Sequence, residues 1–115
     1  ASLAAANKRI RNILRKVETP IPAQVDPGRL AEPAEQALND ALASALADTD
    51  PLLAGRDYVG TLKRLAALQG PVDNFFDRTL VMAEDTALRD NRLALLKLIA
   101  DRFAAVAAVE QLSAG

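Results

Sequence analysis

The larger apolar residues of this chain recur at helical spacing. Leu38, Leu42 and Leu46 fall every four residues with Ala37, Ala41 and Ala45 beside them, while Leu88, Leu95, Leu96, Ile99, Phe103 and Val106 share one stripe of a longer segment. A pleated surface, which alternates every second residue, does not accommodate that period. Composition agrees: 24 Ala and 18 Leu stand against 16 β-branched Val, Ile and Thr residues, so local preference favours helix. The expected fold is an all-α, antiparallel bundle of about five helices. With 115 residues and a mass of 12.2 kDa there is room for one domain with a single core, residues 1–115. The chain opens on Ala1 with a helical pattern already running at Leu3, and is expected to be a domain cut from a longer polypeptide.

Punctuation places the helices. The first is amphipathic from Leu3 and should stop near Val17, because Glu18 to Ala31 contains Pro20, Pro22, Pro27 and Gly28 and reads as the longest loop. Glu32 before Pro33 signals a second helix, since proline suits the first helical position and acids the positive end of the dipole. A kink or break is expected at Asp48–Thr49–Asp50–Pro51, with the segment ending at Gly55. A third helix carries Tyr58, Leu62, Leu65 and Leu68 and closes at Gly70. Pro71 opens a fourth, in which Val72, Phe75, Phe76, Thr79, Leu80 and Met82 lie on one side. Asp85 caps a fifth helix, the longest and the expected centre of the bundle.

Absent residue types exclude much chemistry. Zero Cys rules out disulfides, thiolate metal sites and a cysteine nucleophile, and gives no reason to place the chain in an oxidising compartment, so a cytoplasmic location is expected. Zero His removes the imidazole of a catalytic triad or of most zinc sites. No apolar run approaches the roughly 20 residues that span a bilayer. The five Gly residues are scattered and form no phosphate-cradling loop. Asp73 and Asp77 lie one helical turn apart, but without an accompanying base or nucleophile they read as a solvated face.

Charge is the positive signal. The totals, 14 Lys and Arg against 15 Asp and Glu, conceal an asymmetry: residues 1–17 hold Lys8, Arg9, Arg11, Arg15 and Lys16 with no acid, leaving nine cations against 15 acids, a formal −6, elsewhere. At about 100° per residue the five cations and Asn12 share one face of the first helix, opposite Leu3, Ala6, Ile10, Ile13, Leu14 and Val17. Such a face attracts phosphates through counterion release, but it is also what a solvated helix surface carries. Asn12 suits a base edge or water equally. Aromatic platforms are scarce, since Phe75, Phe76 and Phe103 sit at core phases and Tyr58 is placed to anchor a helix pair. Arg92 lies inside the apolar stripe of the fifth helix and needs a partner, expected to be a carboxylate of the fourth helix or backbone carbonyls. Arg89 is expected to staple to Asp85.

The stretch PVDNFFDRTLVMAEDTALRDNRLALLKLIADRF, Pro71 to Phe103, resembles the C-terminal end of bacterial glycyl-tRNA synthetase beta subunits, whose anticodon-binding domain belongs to the DALR family. The namesake motif reads Asp85-Thr86-Ala87-Leu88-Arg89, one residue longer than its name. ANKRIRNIL (Ala6 to Leu14) and EPAEQAL (Glu32 to Leu38) agree as well, whereas Thr79, Leu80 and the stretch from Val25 to Leu30 depart. Arginyl-tRNA synthetases share the bundle, but VDNFFD followed by VMAED looks like the glycyl family. The resemblance implies a helical module that binds the anticodon region of glycine tRNA beside the rest of the beta subunit and an alpha subunit. Aminoacylation with ATP and Mg²⁺ would be carried out elsewhere, leaving no catalytic residue, cofactor or metal here. Asn7, Lys8, Arg9 and Asn12 match the family's first helix. Lys8, Arg9, Arg11, Arg15 and Lys16 are therefore the expected phosphate contacts, with Asn7 and Asn12 as candidates for base edges. The competing reading is a protein–protein docking bundle whose basic face meets an acidic neighbour.

Overall fold

A computed structural model describes the backbone of residues 3–114 and the side chains of residues 5–106. Its described residues form five α-helices and one short 3-10 helix: α1 (Leu3–Arg15), the 3-10 turn (Pro27–Arg29), α2 (Pro33–Ala54), α3 (Tyr58–Ala66), α4 (Gln69–Arg78) and α5 (Thr86–Ala114). No helix among the described residues is long and apolar enough to cross a membrane.

The rods fold back on one another. Helix α3 returns along α2, where Arg64 Nε meets Asp48 Oδ2 at 2.6 Å, and α4 continues that return until Asn74 and Arg78 share a cleft with Glu32 and Pro33 at the start of α2. Helices α3 and α4 thus make one broken rod that runs antiparallel to α2. The pair α2 and α5 runs in the same sense, because Arg92 reaches Glu35 near the start of α2 and Arg102 reaches Asp50 near its end. Helix α5 packs on α1, α2 and α3 and is buried on every side from Asn91 to Leu96, as a central helix must be. Ile10, Leu38, Leu42, Leu65 and Phe75 join it in the core.

Helix ends differ from expectation in four places. Helix α2 runs unbroken through Asp48–Pro51 to Ala54; Pro51 sits in the last turn, Thr49 Oγ1 donates to the Ala45 carbonyl at 2.7 Å, and Arg102 braces the segment through Thr49 and Asp50. The left-handed residue closing α2 is Arg56 (φ 61°) and not Gly55 (φ −87°), with Arg56 N–H donating to the Leu53 carbonyl and Asp57 N–H to that of Leu52. The corner between α3 and α4 falls at Ala67–Leu68, so Gly70 and Pro71 lie inside the first turn of α4, where a missing proline N–H costs no helical bond. Helix α4 stops at Arg78 because Thr79 turns extended (φ −134°, ψ 130°). In the extended residue and turn that follow, Thr79 and Val81 are buried while Leu80 and Met82 are 70% and 51% exposed, reversing the inward placement expected of the latter two.

Caps follow the sequence signals more closely. Asp57 Oδ1 accepts from Gly60 N–H at 2.8 Å at the head of α3, and Asp85 Oδ1 accepts from the Ala87 and Leu88 amides at the head of α5. Asp85 forms no ion pair with Arg89 among the described residues, so that expected staple is absent. Between α1 and α2, Asn91 holds the long loop by exchanging two hydrogen bonds with the backbone of Asp26. Asp26 in turn caps the 3-10 turn through Gly28 N–H.

Candidate nucleic-acid interface

Helix α1 is a two-sided element. Ala6 and Ile10 are buried and Ile13, Leu14 and Val17 half-buried, so this arc fastens the helix to α4 and α5. The opposite arc leaves Lys8, Arg9, Arg11, Asn12, Arg15 and Lys16 exposed. Exposure alone would be unremarkable for charged residues. Five of the nine cations elsewhere, Arg29, Arg64, Arg92, Lys97 and Arg102, hold a carboxylate, whereas among the described residues none of the five from Lys8 to Lys16 forms an ion pair, and neither do the dispersed Arg56, Lys63, Arg78 and Arg89.

The cations are not equivalent. Arg9 stacks on α4, its Cζ 4.0 Å from the centroid of the Phe76 ring, which itself meets Phe75 edge-on at 5.9 Å. Arg15 donates through Nη2 to Asn12 Oδ1, which orients both side chains along the helix surface. Arg11 and Arg15 border two clefts along the α1–α5 seam. One, of about 380 Å³, is lined by Asn7, Lys8, Arg11, Asn12, Arg15 and Phe103. The other, of about 460 Å³, is lined by Arg11, Leu14, Arg15, Ala100, Asp101 and Ala104. Its acid, Asp101, is engaged by Lys97 at 2.9 Å.

Six of the seven expected site residues therefore lie on α1, with Lys16 in the turn that follows it, and Asn7, Lys8, Arg11, Asn12 and Arg15 converge on one cleft. Asn7 differs from the rest, being 4% exposed at the edge of the apolar arc with no hydrogen-bond partner for Oδ1. Its helical phase, next to Leu14, is the sequence signal for that burial. Phe103 is the contributor that sequence reasoning missed. Phase places it in the apolar stripe of α5, yet it is only half-buried and forms a wall of the cationic cleft. Phase names the direction a side chain takes, not whether a neighbouring helix covers it.

Such an arrangement binds anions through unpaired guanidinium and ammonium groups and offers carboxamides at its centre. Among the described residues no group of three or more His, Cys, Asp or Glu is placed to hold a metal ion. Residues 3–109 match the DALR anticodon binding domain, and the chain belongs to that family. It is similar to the glycine–tRNA ligase beta subunit of Xanthomonas campestris pv. campestris (strain B100), 57% identical over 112 residues. The proteins of the same name from Leptothrix cholodnii and Janthinobacterium sp. (strain Marseille) are 51% and 50% identical over 114 residues. The matches cover 97–99% of this chain, which spans 16% of the length of those relatives.

Proposed function

We propose that this chain is the anticodon-binding module of a glycine–tRNA ligase beta subunit, holding glycine tRNA while aminoacylation proceeds elsewhere in the enzyme. The observation that carries this reading is the run of five cations from Lys8 to Lys16, without a carboxylate partner among the described residues, in a segment matched by the anticodon-binding family. Lys8, Arg11, Arg15 and Lys16 contact phosphates of the anticodon arm. Arg9, backed by Phe76, makes a fifth phosphate contact at the α4 edge. The carboxamides of Asn7 and Asn12 are the candidates for base edges, Asn12 exposed and bonded to Arg15, Asn7 buried at the margin of the same cleft. The relatives' shared name favours a glycyl over an arginyl synthetase. A docking bundle for an acidic protein would use the cations alone and has no separate observation in its favour.

In this reading residues 1–115 are one domain of a longer subunit that works in the cytoplasm beside its remaining domains and an alpha subunit. ATP and Mg²⁺ belong to the ligase reaction and not to this module. Its scattered glycines and the lack of an acid cluster among the described residues do not fit a nucleotide–metal site, and no step is routed through one. Fluorescence titration with glycine tRNA from low to high salt tests the proposal. Five phosphate contacts give a log–log slope of about −3.5 to −4.5 and binding that prefers glycine tRNA to others. A flat salt dependence or equal binding of unrelated tRNAs contradicts it.

A further inference from the structure

The loop between α4 and α5 presents two large apolar side chains that the bundle does not use. Leu80 and Met82 are two of the three large apolar residues exposed among the described residues, the third being Val59 on α3. Single exposed apolar residues are ordinary on a protein surface, but a pair on one short loop is an apolar anchor point. The loop holds the pair in place. Thr79 and Val81 are buried before and between them, Arg92 Nη1 grips the Leu80 carbonyl, and Arg92 is itself fixed by Glu35 in the first turn of α2. Beside the loop, at the head of α2, opens a cleft of about 440 Å³ lined by Glu32, Pro33, Ala34, Asn74 and Arg78. None of these residues lines the cationic clefts along α1.

We infer that Leu80 and Met82 anchor an interdomain contact, in which an apolar surface of another domain of the same polypeptide closes over the α4–α5 loop and borders the cleft beside it. RNA does not select these side chains, because its backbone is met by charged and polar groups and its bases stack on aromatic or guanidinium planes. A separate protein would have to offset the entropy of association, which two aliphatic side chains do not cover. A tethered domain is already held at high effective concentration and needs only a small apolar anchor. Chain length supports that occupant: this chain spans 16% of the length of the relatives it matches, so most of each relative lies outside it. The inference rests on the reading of residues 1–115 as one domain of a longer beta subunit. Its consequence is that the cationic face of α1 is held at a set angle to the remainder of the subunit, with the α4–α5 loop making no tRNA contact.

Thiol labelling of an intact beta subunit carrying this domain reads the contact without any tRNA. The chain has no Cys, so Met82→Cys places a single reporter in it, and mass spectrometry of the peptide follows that position alone. In the 115-residue chain, with thermal melts confirming that the variant folds, the thiol should label freely. In the intact beta subunit it should label at least about tenfold more slowly, whatever the protein concentration. Adding Leu80→Ser should restore the rate seen in the short chain. Hydrogen exchange of the unaltered residues 79–84 should slow in the same comparison, a readout that holds even if Met82→Cys itself weakens the contact. Equal labelling and equal exchange in the two proteins overturn the contact and leave the tRNA-binding role untouched. Slowing that appears only with the alpha subunit, with added tRNA or with rising protein concentration also overturns it, by giving the loop a different occupant. The tRNA-binding reading fails separately, by the salt titration above.

Discussion

Arg92 of α5 and Glu35 of α2, 57 positions apart in the chain, meet inside the bundle with Nη2 2.9 Å from Oε1. Their side chains are 6% and 0% exposed. Glu35 Oε1 also accepts the Glu32 N–H at 3.1 Å, and Arg92 Nη1 donates to the Leu80 carbonyl at 2.6 Å, so one pair ties together the head of α2, the α4–α5 loop and the centre of α5. Removing a single partner leaves a buried charge without compensation. Arg92→Met should therefore cost about 3–5 kcal/mol in urea unfolding, and the double variant Arg92→Met, Glu35→Leu should recover most of the loss. A single-variant loss below about 1 kcal/mol would show that the pair is solvated in solution.

The α4–α5 loop alternates its faces, and the alternation has a mutational signature. Leu80→Ser and Met82→Ser should leave stability within about 0.5 kcal/mol of wild type, because both side chains already face water. Val81→Ala should cost about 2 kcal/mol. A helix continuing to Met82 would invert the order, which thermal melts of the three variants would reveal.

Arg56 pays for its left-handed backbone at the end of α2, where glycine would not. Arg56→Gly should raise unfolding free energy by about 1 kcal/mol. Gly55→Ala, at φ −87° with ordinary contacts around a new Cβ, should change little. The opposite ranking would place the closing residue at Gly55.

Arg9 and Arg11 flank the same face but do different work. Arg9→Ala removes the stack on Phe76 and should cost about 0.5–1 kcal/mol of stability together with some tRNA affinity. Arg11→Ala should leave stability within about 0.5 kcal/mol and lower only affinity, reducing the salt slope by about 1. Equal melting temperatures for the two variants would remove the structural role given to Arg9.

Much of this was legible from residue order. The five helices, the cap Asp85, the amphipathic α1 and its cationic face follow from local chemistry, and local chemistry is what a one-dimensional string records. Failures lie where a distant segment decides. Pro51 passes inside α2 because α5 braces the turn through Arg102, and nothing near Pro51 announces that. Arg92 was recognisable as a buried cation in need of a partner and does meet a backbone carbonyl, that of Leu80, but its carboxylate comes from α2 and not α4, a choice made by packing across 57 positions. Leu80 and Met82 fit a helical phase that ends two residues earlier, at Arg78. In the candidate site the charges were readable and the Phe103 wall was not, since the pattern of α5 cannot say how far α1 covers it.

Reversing the charge of the exposed α1 cations that carry no packing contact addresses the tRNA-binding role most directly. In an intact α/β synthetase carrying this domain, Lys8→Glu, Arg11→Glu, Arg15→Glu and Lys16→Glu together should abolish glycine attachment to its tRNA at subsaturating tRNA, while the melting temperature and ATP-dependent glycine activation stay as in wild type. Unchanged tRNA charging by that variant would contradict the role assigned to this face.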